Sequence, residues 1–120
     1  MEWSFGTGMP IYPQLKRLLT EAIVTGVYAP GQRLPTVREL ALEAGVNPNT
    51  VQRALAELEQ EGLVFAQATV GRFVTQDAAL IGQKRRAMAL EKAREYRAAM
   101  ERLGITKEES IRLLEEEETI

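Results

Sequence analysis

The chain contains no cysteine and no histidine among its 120 residues. Without cysteine there are no disulfides and no thiol nucleophiles, and without histidine there are no histidine-based triads. The common zinc sites are excluded because they depend on these two ligands. No nucleophile–base pair is visible either, and the carboxylates fall on predicted helical surfaces. We therefore expect a protein that is not an enzyme and that binds no metal and no cofactor.

Long apolar runs are also missing from the sequence. No run approaches the roughly 20 residues that a membrane-spanning helix requires. The first residues, MEWSFGTGMPIY, lack the basic and then apolar layout of a secretory signal. Hydrophobic residues make up 45% and charged residues 27% of the chain, which is typical of a globular protein large enough for one compact domain with an appendage. We expect a cytoplasmic protein with no membrane contact.

An excess of positive charge is the third missing feature. The formal net charge is −2, whereas a nucleic-acid binder usually carries a clustered basic surface. The distribution of charge matters more than its sum. Glu57, Glu59 and Glu61 come late in a predicted helix, and the run 115–118 lies near the end of the chain. We expect both acidic groups to lie far from any DNA surface.

The first half of the chain carries signals for three helices. Residues 11–25 place apolar side chains at helical spacing, and Gly26 ends this pattern. After a connection rich in proline and glycine, Thr36 and Glu39 form the spacing of a capping box, which opens a helix that Gly45 ends. Asn47 then stands as the N-cap of the next helix, and Pro48 occupies its first position.

The stretch NPNTVQRAL separates an apolar face from a polar one. Val51, Ala54, Leu55 and Leu58 recur at helical spacing and predict a buried side. The opposite side carries Asn49, Gln52, Arg53 and Ala56. Two short helices joined by AGVNP predict a helix-turn-helix, whose second helix is the one available for a DNA groove.

A β-hairpin is predicted after Gly62, because the strand-like runs LVFA and RFVT flank the turn-like QATVG. A helix-turn-helix followed by a hairpin makes a winged helix. The expected fold is therefore mainly α with a small β-hairpin. We assign residues 1–76 to a winged helix-turn-helix DNA-binding domain and residues 77–120 to a short C-terminal helical dimerisation segment.

The C-terminal segment begins with a long predicted helix that ends at Gly104, and Thr106 and Glu109 form a second capping-box spacing. Within the long helix, residues spaced by four and three positions form a heptad-like seam. This seam either packs on its own domain or forms a subunit interface. We favour the dimer interface, because the seam lies beyond a complete winged helix. Its members are Ala89, Ala93, Tyr96, Met100 and Leu103.

Two segments and a short motif carry a family resemblance. GVYAPGQRLPTVRELALEAGVNPNTVQRALAELEQEGLV and GRFV resemble the GntR family of bacterial transcription regulators, and MPIYPQL resembles its small YtrA-type subfamily. The resemblance covers residues 9–75. It implies a homodimeric repressor with a winged-helix domain and a short helical tail that dimerises and is too small to enclose an effector pocket. The chain differs from many members at Pro48, Gln52, Ala68 and Thr69.

The candidate DNA-binding residues lie on both motif helices and on the wing. Arg38 suits a phosphate or a guanine edge, unless it forms a surface ion pair with Glu39 or Glu43. Arg72 follows the hairpin turn and suits the DNA backbone or the minor groove, or else is ordinary surface. The early positions of the second motif helix suit base edges and phosphates, against the alternative of a merely solvated face. These positions are Asn49, Thr50, Gln52 and Arg53.

The resulting hypothesis is a sequence-specific, homodimeric transcription regulator, a repressor that binds double-stranded DNA at a pseudo-palindromic operator. Two-fold symmetry implies two half-sites about one helical turn apart, roughly 10 base pairs, or a multiple of this. The alternative is a winged helix that serves as a protein-interaction module, which the nearly neutral charge favours. The sequence leaves open whether a small-molecule effector exists. We expect Lys84, Arg85 and Arg86 to be a solvated helix start instead of a DNA contact.

Overall fold

The computed structural model describes residues 1–117, and the last three residues of the predicted tail lie outside the described part. The elements follow one another as α1 (Ile11–Val24), α2 (Val37–Ala44), α3 (Pro48–Gln60), β1 (Val64–Gln67), β2 (Gly71–Val74), α4 (Ala78–Arg102) and α5 (Lys107–Glu116). The chain divides into two compact units, Met1–Arg85 and the residues from Arg86 onward. The predicted boundary after residue 76 falls just before α4, whereas this division falls within it.

The core of the first unit forms where α1 and α2 pack on α3 and where α3 packs on the hairpin. The predicted apolar face of α3 is fully buried, as are Leu15, Leu19 and Ile23 of α1, whereas Leu18 is half-buried. The hairpin closes the core with Val64 and Val74. The largest fully buried apolar side chains are Leu15, Leu19, Ile23, Leu40, Val51, Leu55, Leu58, Leu63, Val64 and Val74.

The helix-turn-helix forms as the sequence predicts. The Thr36 hydroxyl accepts a bond from the Glu39 amide at 3.1 Å, and the Glu39 carboxylate accepts one from the Thr36 amide at 3.0 Å, which completes the capping box of α2. Gly45 ends α2 in the left-handed region with φ of 68°, a conformation that suits glycine because it has no Cβ. The Val46 amide then donates to the Ala41 carbonyl, so the turn into α3 is closed.

The hairpin is antiparallel, and its register pairs Phe65 with Phe73 and Gln67 with Gly71. Each strand lies one residue closer to the turn than the predicted run does. The turn is therefore shorter than predicted, and Thr69 within it has a positive φ of 65°. The rings of Phe65 and Phe73 stack at 5.6 Å between centroids. Phe73 therefore packs within the wing.

A third segment, which the sequence did not predict as extended, pairs with the other edge of β2. The Leu34 amide donates to the Arg72 carbonyl at 2.8 Å, and the Val74 amide donates to the Gln32 carbonyl at 2.9 Å. The connection before α2 thereby satisfies the outer edge of β2, which would otherwise expose unpaired backbone groups. The base of the wing is consequently tied to the N-terminus of α2.

Helix α4 starts at Ala78, where the Asp77 carboxylate accepts a bond from the Leu80 amide at 3.1 Å. In the first unit its opening turns bury Ile81. The Arg85 guanidinium donates through Nε and Nη2 to the Val24 carbonyl at the end of α1, at 3.1 and 2.8 Å. Lys84 pairs with Glu61 at 2.9 Å, so these two cations are engaged within the unit and are not simply solvated.

The second unit consists of the remainder of α4 and α5. Gly104 has a φ of 79° and follows the end of α4, as predicted. The Thr106 hydroxyl caps α5 by accepting from the Glu109 amide at 3.2 Å, which is one half of the predicted capping box. The Tyr96 hydroxyl donates to the carbonyl of the buried Ser110 at 2.6 Å and so joins the two helices.

Candidate nucleic-acid interface

The N-terminal half of α3 presents a polar face to solvent. The Asn47 side chain accepts from the Asn49 amide at 2.8 Å, so Asn47 is the N-cap that the sequence predicts. Because the opposite side of the helix is fully buried, rotation of α3 is fixed and its polar side must face outward. Asn49, Gln52 and Arg53 are exposed, and Thr50 is half-buried. Amide and guanidinium groups of this kind can pair bidentately with adenine and guanine edges.

Arg38 lies near the start of α2 and is exposed. Among residues 1–117 no hydrogen bond or ion pair engages it, so the alternative pairing with Glu39 or Glu43 does not form. The Glu39 carboxylate is engaged instead by the capping box. The backbone and side-chain hydrogen bonds of Thr36 lower the pKa of Glu39, and Arg33 adds a smaller effect in the same direction. The Arg38 guanidinium therefore keeps its donors available.

Arg53 is oriented by two neighbours although its side chain is 69% exposed. Its guanidinium carbon lies 3.8 Å from the centroid of the Tyr12 ring, within the range of a cation–π interaction. Its Nε lies 3.9 Å from a Glu57 carboxylate oxygen, one turn along α3. Tyr12, for which the sequence predicts no role at the site, is thus brought beside a candidate base-reading residue. The two positions are far apart in the chain, and only the packing of α1 on α3 joins them.

Arg72 does not project freely from the wing. Its Nε donates to Oε1 of Glu59 at 2.5 Å, and both side chains are partly buried. The predicted DNA contact of Arg72 stays a prediction, in which the remaining guanidinium nitrogens would have to reach the DNA. The alternative prediction, that Arg72 is an ordinary surface arginine, did not include this ion pair, which connects β2 to α3.

Arg33 is a candidate that the sequence reasoning missed. It is exposed in the segment that pairs with β2. Its guanidinium lies against the hairpin at Gly71, since a Cβ built on Gly71 would lie 3.0 Å from the Arg33 Nε. A shallow groove beside it is lined by Thr36, Gln67 and Thr69, among others. The local sequence carries no signal for this placement, because it follows from the edge pairing with β2.

The acidic residues in the second half of α3 are largely neutralised by cations of the same unit. Lys16 pairs with Glu57 at 3.3 Å and also with Glu61, and Lys84 pairs with Glu61 as well. Burial by itself would raise the pKa of Glu61, but the hydrogen bonds from the two lysines outweigh it and lower that pKa. The overall negative charge of the chain is therefore a poor guide to the charge around the start of α3.

The predicted seam in the second unit is covered to different degrees. Ala89, Ala93 and Leu103 are exposed, with Leu103 at 72%. Tyr96 and Met100 are half-buried, and Tyr96 hydrogen-bonds to the α5 backbone of its own chain. Packing within the chain thus accounts for part of the seam. Leu90, Ile111 and Leu114 add further exposed apolar surface to the same unit.

Neither a metal-binding cluster nor a membrane-spanning helix is found in the part of the chain that the structure describes. Over residues 1–117 no group of histidine, cysteine, aspartate or glutamate side chains could hold a metal ion. No described helix combines the length and the apolar character that crossing a membrane requires.

A helix-turn-helix whose second helix packs against a two-stranded hairpin is a winged helix-turn-helix, the architecture of a DNA-binding domain. Comparison with known proteins agrees with this class. The model of the family described as "Bacterial regulatory proteins, gntR family" matches residues 11–74, which is more than half of the chain. The chain belongs to the GntR family of bacterial regulatory proteins, so it is a transcriptional regulator and not an enzyme.

Relatives of known sequence support the small YtrA-type subfamily. The chain is 33% identical over 111 residues to the uncharacterized HTH-type transcriptional regulator YhcF of Bacillus subtilis, covering 92% of both chains. It is 41% identical over 69 residues to the HTH-type transcriptional repressor YtrA of the same organism, covering 58% of this chain and 53% of YtrA.

Solved structures agree in fold as well. A GntR family transcriptional regulator from Listeria monocytogenes superimposes with a TM-score of 0.88 at 37% identity, covering 95% of this chain and all of that one. The DNA-binding domain of AraR in complex with operator ORX1 superimposes with a TM-score of 0.57 at 30% identity, covering 62% of this chain and 96% of that domain.

Proposed function

We propose that this regulator is a cytoplasmic homodimeric repressor that binds a pseudo-palindromic operator in duplex DNA. The single observation that carries the proposal is the exposed polar face of Asn49, Gln52 and Arg53 at the start of α3, beside an uncommitted Arg38 on α2. In a helix-turn-helix the early residues of the second helix are those that reach base edges.

The proposed contacts divide into two kinds. Gln52 and Arg53 read base edges, with Asn49 and Thr50 completing contacts to bases and phosphates. Arg38 and Arg33 bind phosphates, and the wing with Arg72 lies along the backbone or in the minor groove. The complex of the AraR DNA-binding domain with an operator supports this use of a related fold.

The proposed dimer uses the second unit. Leu103, Ile111 and Leu114 are large apolar side chains left about half or more exposed there, and a second copy would remove them from water. Two domains held in one register raise the effective concentration of the second domain at its half-site. The proposed organisation is thus residues 1–76 for DNA binding and residues 77–120 for dimerisation through Ala89, Ala93, Tyr96, Met100 and Leu103. No effector is assigned.

The test is selection of binding sites from a pool of random duplex DNA by the purified full chain. The expected result is an inverted repeat whose half-sites lie about one helical turn apart, or a multiple of it. Binding to this selected site should weaken as the salt concentration rises, because phosphate contacts release counterions. Failure to enrich any sequence, with no salt-dependent binding, would favour the protein-interaction module instead.

Repression and dimerisation need separate measurements. A promoter that carries the selected site should lose transcription when the protein is added, and a gain of transcription would identify an activator. Sedimentation of the full chain should give a dimer. Leu103→Glu is the sharpest variant of the seam, because it charges an exposed position and leaves the Tyr96–Ser110 hydrogen bond intact. It should produce monomers with unchanged helical content, and a Leu103→Glu dimer would place the interface elsewhere.

A further inference from the structure

Tyr12 and Arg53 form a cation–π pair, and Arg53 lies on the candidate DNA-reading face of α3. The guanidinium carbon is 3.8 Å from the ring centroid, which is stacking distance. Tyr12 is the second residue of α1 and is half-buried, so the ring itself is held by the packing of α1. The arginine head is thereby supported by a residue that belongs to neither motif helix.

This pair is the first of a series of contacts between α1 and α3. Tyr12 faces Arg53, and one turn further along each helix Lys16 faces Glu57. Lys16 also reaches Glu61, the C-cap residue directly after α3. Because the residue numbers increase in the same direction on both helices from one contact to the next, α1 and α3 run parallel where they meet. The ion pairs at Lys16 therefore maintain the register that keeps the Tyr12 ring beneath Arg53.

This support has a consequence for recognition. An exposed arginine samples many rotamers, and ordering it on DNA opposes binding. A ring that covers one face of the guanidinium leaves the edge with its N–H donors free, and the edge is what pairs with a guanine or a phosphate. The Glu57 carboxylate, at 3.9 Å from Nε, restricts the side chain from a second direction.

We propose that Tyr12 is a positioning residue for DNA recognition, which acts by holding the Arg53 guanidinium over its ring in the orientation that reads the operator. The proposal rests on the proposed function, because it requires that Arg53 contacts DNA. It assigns to the start of α1 a part in sequence discrimination, in addition to its part in the core.

The test compares Tyr12→Leu, Tyr12→Phe, Arg53→Ala and the double variant Tyr12→Leu/Arg53→Ala in the full chain. Each is titrated with the selected inverted repeat and with random duplex DNA of the same length. Tyr12→Leu removes the aromatic face while keeping an apolar side chain on α1, and Tyr12→Phe keeps the face. From the usual strength of an exposed cation–π pair, Tyr12→Leu should lose about two- to five-fold in affinity for the selected site.

Three results are expected together. Tyr12→Phe should retain affinity within about two-fold of the parent, since phenylalanine also supports a cation–π contact. Tyr12→Leu should add nothing to the loss already caused by Arg53→Ala. In the free protein, the upfield ring-current shift of the Arg53 side-chain protons should be present in the parent and in Tyr12→Phe, and absent from Tyr12→Leu.

Other outcomes overturn the proposal in distinguishable ways. If the losses from Tyr12→Leu and Arg53→Ala simply add, Tyr12 acts independently of Arg53. If Tyr12→Leu weakens the selected and the random DNA equally and lowers the melting temperature, its role is structural. If Arg53→Ala leaves both affinities unchanged, the assigned contact of Arg53 fails, and the positioning role fails with it even where the site selection succeeds.

Discussion

The Nε–H of Arg72 donates to Oε1 of Glu59, so the second strand of the wing is tied to the C-terminal half of the recognition helix α3. The two side chains remain 22% and 32% exposed. The pair therefore connects two elements that are both proposed to reach DNA, and in the proposed complex a DNA phosphate would compete with Glu59 for the Arg72 guanidinium.

This competition leads to a prediction with opposite signs for its two members. Glu59→Gln should strengthen DNA binding, because it frees Arg72 and removes a negative charge near the wing, whereas Arg72→Ala should weaken binding. Both variants should lose about 0.2–1 kcal/mol of folding stability, as is usual for partly exposed ion pairs. Titration with duplex DNA and thermal melting measure the two effects. Weaker DNA binding in both variants would mean that Arg72 only holds the wing in place.

The N-cap of the recognition helix should matter for stability. Asn47→Ala removes the acceptor for the Asn49 amide and should lower the free energy of unfolding by roughly 0.5–2 kcal/mol. Asn47→Ser, which also caps well, is the matched control and should restore most of this stability. Chemical denaturation without DNA is the measurement. Unchanged stability together with lost DNA binding would show that Asn47 contacts DNA.

Stability in acid should depend on Glu61. Its pKa is lowered in the folded protein below the ordinary value of 4.5. The unfolded chain therefore binds the proton more readily, and the contribution of the ionised group is complete above about pH 4.5 and is lost as the pH falls through the folded pKa. Glu61→Gln should lower stability at neutral pH and should flatten the loss of stability on acidification. Melting curves across this range test it, and an unchanged pH profile would contradict the assignment.

The C-terminal end of the first compact unit indicates where the chain should be truncated to isolate the winged-helix domain. A chain that stops after Arg86, one residue beyond this unit, retains Ile81 and the bonds from Arg85 to Val24, and we expect it to fold as a monomer. A chain that stops after Asp77 loses these contacts and should melt at a lower temperature. Sedimentation and melting of both chains check this, with operator titration as the functional readout. A dimer of the chain that ends at Arg86 would place the interface in the winged-helix domain.

Much of the helical framework could be predicted because its signals are local. The Thr36–Glu39 box, the Asn47 cap and the glycines after helices act over two or three residues, so spacing alone reveals them. The apolar periodicity of α3 likewise determines which side is buried, and therefore which polar side chains face outward. These local rules determine that the chain presents Asn49, Gln52 and Arg53 together.

The partners of several charged residues were decided only by the tertiary structure. Lys16 and Glu57 are separated by 41 positions, Arg72 and Glu59 by 13, and Arg85 and Val24 by 61. Such pairs depend on which helices pack together and in which register, which no local spacing encodes. For the same reason the sequence did not predict that Arg33 lies beside the wing or that Tyr12 contacts Arg53. The sequence determined which face of α3 could read DNA, whereas packing decided that Glu59 pairs with Arg72 and that the Tyr12 ring lies against Arg53.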